Sequence, residues 1–176
     1  IPEQDVVVAI TSQTPSMQQS LNLVWDHLLG GIHAEPLPAD RAARQALKKQ
    51  LSGLSLPVVK GSAGPSSGSG YNGKKWTISS NDLGVQNMQF DFSNRGCRLT
   101  SGSSVIEFGW EKWVTNDRRE PYVFGVSSLF PMPSRMAGTA TWINDNTLQL
   151  NIRFVEAIFG DRITCVFDGN KLSVAF

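Results

Sequence analysis

The strongest structural signal in this sequence lies in residues 137–176, AGTATWINDNTLQLNIRFVEAIFGDRITCVFDGNKLSVAF. Apolar side chains occupy every second position through residues 148–154, 163–167 and 172–176. Turn-forming residues separate these runs, notably Asn-Asp-Asn at 144–146 and Asp-Gly-Asn at 168–170. Alternation with a period of two between turn signals predicts antiparallel strands that bury one face.

The same alternation extends upstream as far as Tyr71. Trp76 and Ile78 flank one polar residue, and so do Phe90 and Phe92. We count about eight strands in all, and eight antiparallel strands in up-and-down order form a small barrel or a curled sheet, because closure removes exposed edges. The sequence therefore predicts a mainly β, α+β protein with two N-terminal helices and a lipocalin-like barrel.

The first thirty residues have a different pattern. The β-branched run VVVAI at residues 6–10 predicts a strand that is buried on both faces. Thr14 and Pro15 then predict the start of a helix, because they combine a capping residue with proline at the first helical position. Apolar residues at helical spacing continue this helix to the glycines at 30–31.

A second helix is predicted over residues 41–52, with Asp40 as its N-cap. The Gly/Ser-rich segment at 61–70 has the composition of a linker and leads into the strands. The predicted organisation has three parts: a strand–helix segment at 1–31, a connector with one helix at 32–70, and a β-barrel domain at 71–176.

The composition narrows the class of protein. The chain has 176 residues, a formal net charge of +1 and 40% hydrophobic residues. This is a typical globular composition without the basic excess of a nucleic-acid binder, so we expect no nucleic-acid partner. No apolar run approaches the roughly 20 residues that a membrane-spanning helix needs. The opening residues IPEQD contain neither a basic region nor an initiator methionine, so we expect a processed form or a segment of a longer protein.

The cysteines and histidines predict structure more than chemistry. Cys97 and Cys165 both lie in alternating strands. Two buried thiols are expected, because free cysteine packs as a small apolar residue, and a disulfide between neighbouring strands is the alternative. His27 and His33 have no ligand partner at a recognisable spacing, so we expect no metal site.

Glu156 is the main candidate for a polar group inside the barrel. Its position continues the inward-facing alternation of residues 148–154, and a buried carboxylate needs a partner or a shifted pKa. Arg153 or Arg162 could be that partner. The alternatives are a buried ion pair, a bulge that turns Glu156 to solvent, or a polar group in a ligand cavity. Trp110 and Trp142 are further ligand-binding candidates if the barrel encloses a cavity.

No catalytic motif accompanies these residues. No serine is followed by lysine three residues later, as the nucleophile of penicillin-recognising hydrolases requires. A Ser-His-Asp triad, a phosphate-binding loop and a dinucleotide fingerprint are likewise unsupported. The sequence assigns no catalytic residue and implies no cofactor.

Several segments nevertheless resemble one family. Residues 1–12, IPEQDVVVAITS, and residues 23–29, LVWDHLL, resemble the last strand and helix of the catalytic domain in bacterial serine hydrolases related to class C β-lactamases. The remainder is similar to the C-terminal extension that some of these hydrolases carry. The motifs of that similarity are EPLP (35–38), LSLP (54–57), NDLG (81–84), FDF (90–92), GWEKW (109–113), WINDNTL (142–148), RFVE (153–156) and FDGN (167–170).

The resemblance implies that the nucleophile, the lysine and the tyrosine base of the parent enzyme lie upstream of Ile1. The expected function is a non-catalytic C-terminal accessory domain that packs on the catalytic domain, shapes access to it or mediates oligomerisation. A lipocalin-like module for a small ligand is the alternative, and an independent hydrolase is the third hypothesis. Expected partners are the parent's catalytic domain and a second copy paired through residues 1–12. The expected compartment is the bacterial periplasm or cytoplasm.

Overall fold

The structure, a computed structural model, describes residues 1, 5–12, 14–61, 70–117, 124 and 135–176. The chain divides into two compact units, Ile1–Leu56 and Pro57–Phe176, called here the helical unit and the barrel unit. The described helices lie in the first unit and the described strands in the second. The predicted mainly β architecture with two N-terminal helices is therefore confirmed.

The helical unit contains, in chain order, α1 (Met17–Leu23), a π-helical turn (Val24–Leu28), a 3-10 turn (Leu29–Gly31) and α2 (Arg41–Ser52). Helix α1 begins after Ser16, whose hydroxyl accepts a hydrogen bond from the backbone N–H of Gln19 at 3.4 Å. The cap is therefore Ser16 rather than the predicted Thr14. Asp40 caps α2 as predicted, because its carboxylate accepts from the N–H of Ala43 at 2.9 Å.

The predicted strand at residues 6–10 is wrong, because these residues belong to no sheet. Asp5 has a φ of 49°, and the backbone N–H of Val6 donates to the carbonyl of Ile1 at 3.2 Å, not to a neighbouring strand. Val7 is 95% exposed. A β-branched run forms a strand only where a neighbouring strand satisfies its backbone groups, and the described part of the helical unit has no strand.

The described strands of the barrel unit are β1 (Lys75–Thr77), β2 (Asn87–Ser93), β3 (Gly96–Ser101), β4 (Ser104–Trp110), β5 (Val114–Asp117), β6 (Arg135–Asn144), β7 (Thr147–Phe154), β8 (Gly160–Asp168) and β9 (Lys171–Ala175). They form one sheet with the order β1-β2-β3-β4-β6-β7-β8-β9, and β5 also pairs with β6. Strands β4 and β6 are parallel, whereas every other pair is antiparallel. The sheet thus has one strand more than the predicted eight, and one parallel pair interrupts the predicted up-and-down order.

The sheet curls into a nearly closed barrel. Strands β1 and β9 are at the two ends of the strand order and lie close to each other. Lys74 bridges the remaining opening, because its Nζ donates to Oδ1 of Asn170 at 2.9 Å. The same ammonium lies 4.1 Å from the ring centre of Trp76, a distance at which a cation is attracted to an aromatic face.

Inward-facing side chains fill the middle of the barrel with aromatic rings. Trp142 is 1% exposed, and its ring centre lies 5.6 Å from those of Phe92 and Phe167. Tyr71 stacks on Phe167 at 4.5 Å. A side chain that borders a water-sized void keeps some accessible surface, and Phe90 in this cluster has none. The interior around these rings is therefore close-packed.

The strand directions place each described connection of the barrel unit at one of the two ends of the barrel. The β1–β2 connection, the β3–β4 turn and the β7–β8 turn lie at one end, which we call the loop end. The β2–β3, β6–β7 and β8–β9 turns lie at the other.

Candidate functional site

A groove at the loop end is a concave feature that described residues of the barrel unit form. It lies between the β1–β2 connection and the β3–β4 turn, and consists of two adjoining depressions of about 230 and 400 Å³. The two share residues 84–86. We call this feature the loop–turn groove, and its lining residues are Thr77, Ile78, Ser80, Asn81, residues 83–87 and residues 101–104.

One wall of the groove is a loop that Asn81 holds in shape. Its side-chain Nδ2 donates to the carbonyls of Ser79 and Val85 at 2.9 and 2.8 Å. Its Oδ1 accepts from the backbone N–H groups of Leu83 and Val85 at 3.2 and 3.1 Å. Gly84 has a φ of 69°, a conformation that favours glycine. One amide therefore satisfies four backbone groups and makes the loop rigid.

The opposite wall is the tight turn between β3 and β4. Ser101 and Ser104 are paired across it, and Gly102 has a φ of 58° at its first central position. Ser101 is 7% exposed and Ser104 is 4% exposed, and both line the groove. Within the described residues, neither hydroxyl makes a hydrogen bond to another protein group. Neither hydroxyl is among the buried polar atoms that lack a hydrogen-bond partner, so both are open to solvent in the groove.

The lining of the groove carries no charge. Hydroxyl and amide groups share it with apolar surface, and none of the lining residues is Asp, Glu, Lys, Arg or His. A serine needs a neighbouring base to become a nucleophile, and the lining supplies none. Among the described residues, no group of three or more His, Cys, Asp or Glu side chains is placed to hold a metal ion. The groove can exchange hydrogen bonds with a ligand, and its lining has no group for acid–base catalysis.

Glu156 does not point into the barrel. Strand β7 ends at Phe154, and Glu156 lies exposed in the turn that follows. The alternation of β7 no longer applies beyond the end of the strand, so the side chain faces solvent. Arg153 is half-buried on β7 and lies across Gly160, its partner on β8. Arg162 is exposed on β8.

Trp142 and Trp110 have different environments. Trp142 belongs to the interior aromatic cluster described above. Trp110 is half-buried, stacks near Phe92 with ring centres 6.3 Å apart, and donates from Nε1 to the carbonyl of Ser93 at 2.8 Å. Glu156, Arg153 and the two tryptophans therefore do not converge on one described site. Their ligand-binding role stays a prediction without geometric support.

The two cysteines are free, buried thiols, as predicted. Cys97 lies on β3 and Cys165 on β8, which are not neighbours in the sheet, so a disulfide between adjacent strands does not arise. Burial raises the pKa of Cys165 to about 12. Burial also raises the pKa of Cys97 well above its usual value, and the nearby Cys165 raises it further. Both thiols are protonated and unreactive at neutral pH.

The groove residues carried a weak signal in the sequence. Residues 81–84 and 101–103 have turn composition, which predicts loops but no binding role. Their proximity depends on the pairing of β1 with β2 and of β2 with β3. That pairing brings two separate turns to the same end of the barrel.

Comparison of the chain with protein-family models, with curated proteins and with solved structures gave no match. The resemblance to serine hydrolases related to class C β-lactamases therefore stays a prediction, as does the lipocalin likeness. In the part of the chain that the structure describes, no helix combines the length and the apolar character needed to cross a bilayer.

Proposed function

We propose that this chain is a non-catalytic accessory region of a bacterial serine hydrolase related to class C β-lactamases. In this proposal the helical unit packs on the parent's catalytic domain, and the barrel unit is the appended domain that shapes access to the active site. The motif similarity in residues 1–12 and 23–29 supports the connection. The lack of any acid, base or activated nucleophile in the loop–turn groove supports a non-catalytic role.

The observation that carries the proposal is the missing core of the helical unit. None of its described residues is buried, although large apolar side chains are frequent. Met17, Leu23 and Trp25 are 62%, 60% and 47% exposed. Burial of an apolar side chain of this size contributes roughly 1.5–3 kcal/mol, so an uncovered helix with such a surface is an incomplete structure. A catalytic domain that packs on residues 1–31 would supply the cover.

A direct test begins with the complete reading frame that encodes this chain. The proposal expects a catalytic domain with a Ser-x-x-Lys motif upstream of Ile1. A complete reading frame without such a domain would contradict the proposal. Nitrocefin hydrolysis is then measured for the complete protein with and without residues 30–176. Reduced turnover with an intact catalytic fold indicates a role in substrate access, whereas unchanged kinetics restrict the barrel unit to a scaffold role.

The packing surface is tested by substitution within the complete protein. Trp25→Ser combined with Leu28→Ser is expected to lower the unfolding temperature of the catalytic domain, because both side chains would be part of its interface. Gln18→Ser combined with Asn22→Ser is the matched control, since these exposed side chains are hydrogen-bonded to each other at 2.8 Å. Equal stability of the two double variants would contradict a packing role for α1 and the turn that follows it.

A lipocalin-like ligand cavity is the less favoured function. It requires a void inside the barrel, whereas rings of the interior cluster occupy the space around Trp142.

A further inference from the structure

We propose that helix α2 docks on a negatively charged lipid bilayer and lies in the plane of its headgroups. In this arrangement the leucines of the helix enter the boundary of the acyl chains, and the basic side chains contact the lipid phosphates. The inference goes beyond the proposed function and does not depend on it, because the packing surface tested there is α1 and the turn that follows α1.

The first argument is the division of α2 into two faces. The helix runs from Arg41 to Ser52, and a turn of about 3.6 residues places its apolar and its basic side chains on opposite sides. The apolar face carries Ala43, Ala46, Leu47 and Leu51, and the basic face carries Arg41, Arg44, Lys48 and Lys49. Leu47 and Leu51 are each more than half exposed. Helices that lie in a membrane interface typically have this division.

The second argument is the concentration of positive charge. Residues 41–60 contain five basic residues and no acidic residue, whereas the whole chain has a formal net charge of only +1. The rest of the chain is therefore net acidic, and the basic charge is concentrated in α2 and the residues that follow it. A surface of anionic lipids attracts such a segment, and it attracts the rest of the chain far less.

The third argument is the position of the basic side chains at the borders of the apolar face. Around the helix axis, Arg44 lies next to Leu51 at one border, and Lys49 lies next to Ala42 at the other. Long basic side chains at such borders extend their charged ends away from an apolar phase. A bilayer offers phosphates along both sides of a helix that lies in its surface, so both borders find partners at once.

The fourth argument separates a bilayer from another protein or a nucleic acid. A nucleic acid would neutralise the basic face and leave the leucines in water. A groove on a protein gains most of its affinity from a few large anchors, in which tryptophan and tyrosine are enriched and leucine is under-represented. Helix α2 has no aromatic residue. A bilayer requires no shape match, so two leucines and two alanines suffice as its apolar contact.

The fifth argument is the uncovered state of α2. All twelve of its residues are exposed, and the cap at Asp40 is its main local stabilisation. Helices of about 12–15 residues or fewer are marginally stable in water unless an apolar face is covered. A bilayer surface covers that face and leaves the basic side in water and among the headgroups, so docking also stabilises the helix.

The first test measures co-sedimentation of the whole chain with lipid vesicles. Binding is expected with equal parts of phosphatidylcholine and phosphatidylglycerol, and it should be much weaker with phosphatidylcholine alone. Raising the salt from about 0.05 M to about 0.5 M is expected to weaken it, because salt screens the attraction. Arg44→Gln with Lys49→Gln should lower the partition coefficient about ten-fold or more, since each basic side chain contributes about five-fold.

The matched control is Arg95→Gln with Lys171→Gln. It removes one arginine and one lysine as well, but both are exposed in the barrel unit. Its net charge equals that of the α2 variant, and it should lower the partition coefficient by no more than about three-fold, since charges beyond a Debye length from the lipid are screened. Both variants change exposed side chains, so both should unfold at the temperature of the original chain.

The second test places an environment-sensitive NBD label on either face of α2. The label is attached to Leu47→Cys on the apolar face or to Gln45→Cys on the basic face. Cys97 and Cys165 are buried in the folded chain, so the label reacts with the introduced thiol. With the phosphatidylglycerol vesicles, the emission of the label at residue 47 is expected to rise and shift to the blue. The label at residue 45 is expected to change little.

Four results would overturn the proposal. The first is equal binding to the two kinds of vesicle, and the second is an equal loss of binding in the α2 variant and its control. The third is binding without a change at residue 47, which indicates adsorption by charge alone. The fourth is binding of the chain to poly-L-glutamate but not to the anionic vesicles, which indicates an acidic protein surface as the partner.

Discussion

The side chain of Asn116 pairs with the backbone of Glu107 as a neighbouring strand would. Its Oδ1 accepts from the N–H of Glu107 at 2.7 Å, and its Nδ2 donates to the carbonyl of Glu107 at 2.9 Å. Strand β4 meets β6 only at Gly109 and Trp110, so the amide satisfies an edge position that no strand reaches. One residue of β5 thereby stabilises the junction where the sheet changes from antiparallel to parallel pairing.

Replacement of Asn116 by Ala is expected to lower the free energy of unfolding by about 1–3 kcal/mol, because two partly buried backbone groups lose their partners. Urea unfolding followed by circular dichroism measures the change. Asp117→Asn is the control, since it removes only the exposed pair between Asp117 and Arg135, and such pairs contribute about 0–1 kcal/mol. Equal losses in the two variants would show that the amide does not stabilise the junction.

Gly96 permits close contact between β3 and β4. A Cβ atom at this position would overlap the carbonyl oxygen of Phe108 in the neighbouring strand. Gly96→Ala is therefore expected to destabilise the protein by at least about 3 kcal/mol, because the backbone must move to relieve the overlap. Gly70→Ala is the matched control, since a Cβ there meets no atom within 4 Å. Thermal unfolding of the two variants side by side gives the comparison, and similar unfolding temperatures would contradict the overlap.

The two tryptophans that were candidate ligand contacts are expected to differ strongly in their effect on stability. Trp142→Ala should lower the free energy of unfolding by about 3–5 kcal/mol, the usual range for removal of a fully buried aromatic ring. Trp110→Ala should lower the free energy of unfolding by less, because the ring is only half-buried. The change also removes the single hydrogen bond from the indole to the carbonyl of Ser93, whose contribution is modest. Urea unfolding followed by far-ultraviolet circular dichroism measures both losses. This method is preferred to tryptophan fluorescence, because each variant lacks one tryptophan. A larger loss at Trp110 than at Trp142 would refute this account of the core.

The buried thiols predict a loss of stability at alkaline pH. The pKa of Cys165 is raised to about 12 and that of Cys97 is also raised, so both thiols stay protonated in the folded state while they ionise in the unfolded state. The unfolded state then binds fewer protons, and stability falls as pH rises above the unfolded pKa near 9. The expected slope is up to about 1.4 kcal/mol per pH unit for each thiol.

Urea unfolding at several pH values above 8 tests this linkage. Cys165→Ala is expected to reduce the slope, although it also lowers stability at every pH by leaving a small cavity. Ellman's reagent gives an independent readout, because the folded chain should react slowly and the unfolded chain quickly. Rapid reaction of either thiol in the folded state would contradict their burial.

Local patterns were enough to predict most strands and much of the core. Leu148, Leu150, Ile152 and Phe154 are all buried on β7, as their alternation indicates. This works because side chains alternate between the two faces of any strand, whichever strand lies beside it. The cap at Asp40 was predictable for a similar reason, since it depends on a backbone N–H only a few residues away.

The same local reasoning failed where pairing partners or strand ends mattered. Residues 6–10 have strand-forming side chains but no described strand to pair with, so they form none. Glu156 continues the alternation of the inward-facing residues of β7, yet the strand ends before it and the side chain is exposed. For the candidate site, Ser101 and Asn81 were recognisable only as turn residues, because their roles depend on each other's position.

Residue order along this chain specifies the strand faces, the turns, the helix caps and the apolar character of the barrel interior. These features arise from steric and hydrogen-bonding preferences among residues that are close in sequence. The parallel pairing of β4 with β6, the Asn116 link and the loop–turn groove arise from tertiary structure. Each of them joins segments whose contacts depend on how the whole sheet curls, and no local preference of the chain encodes that geometry.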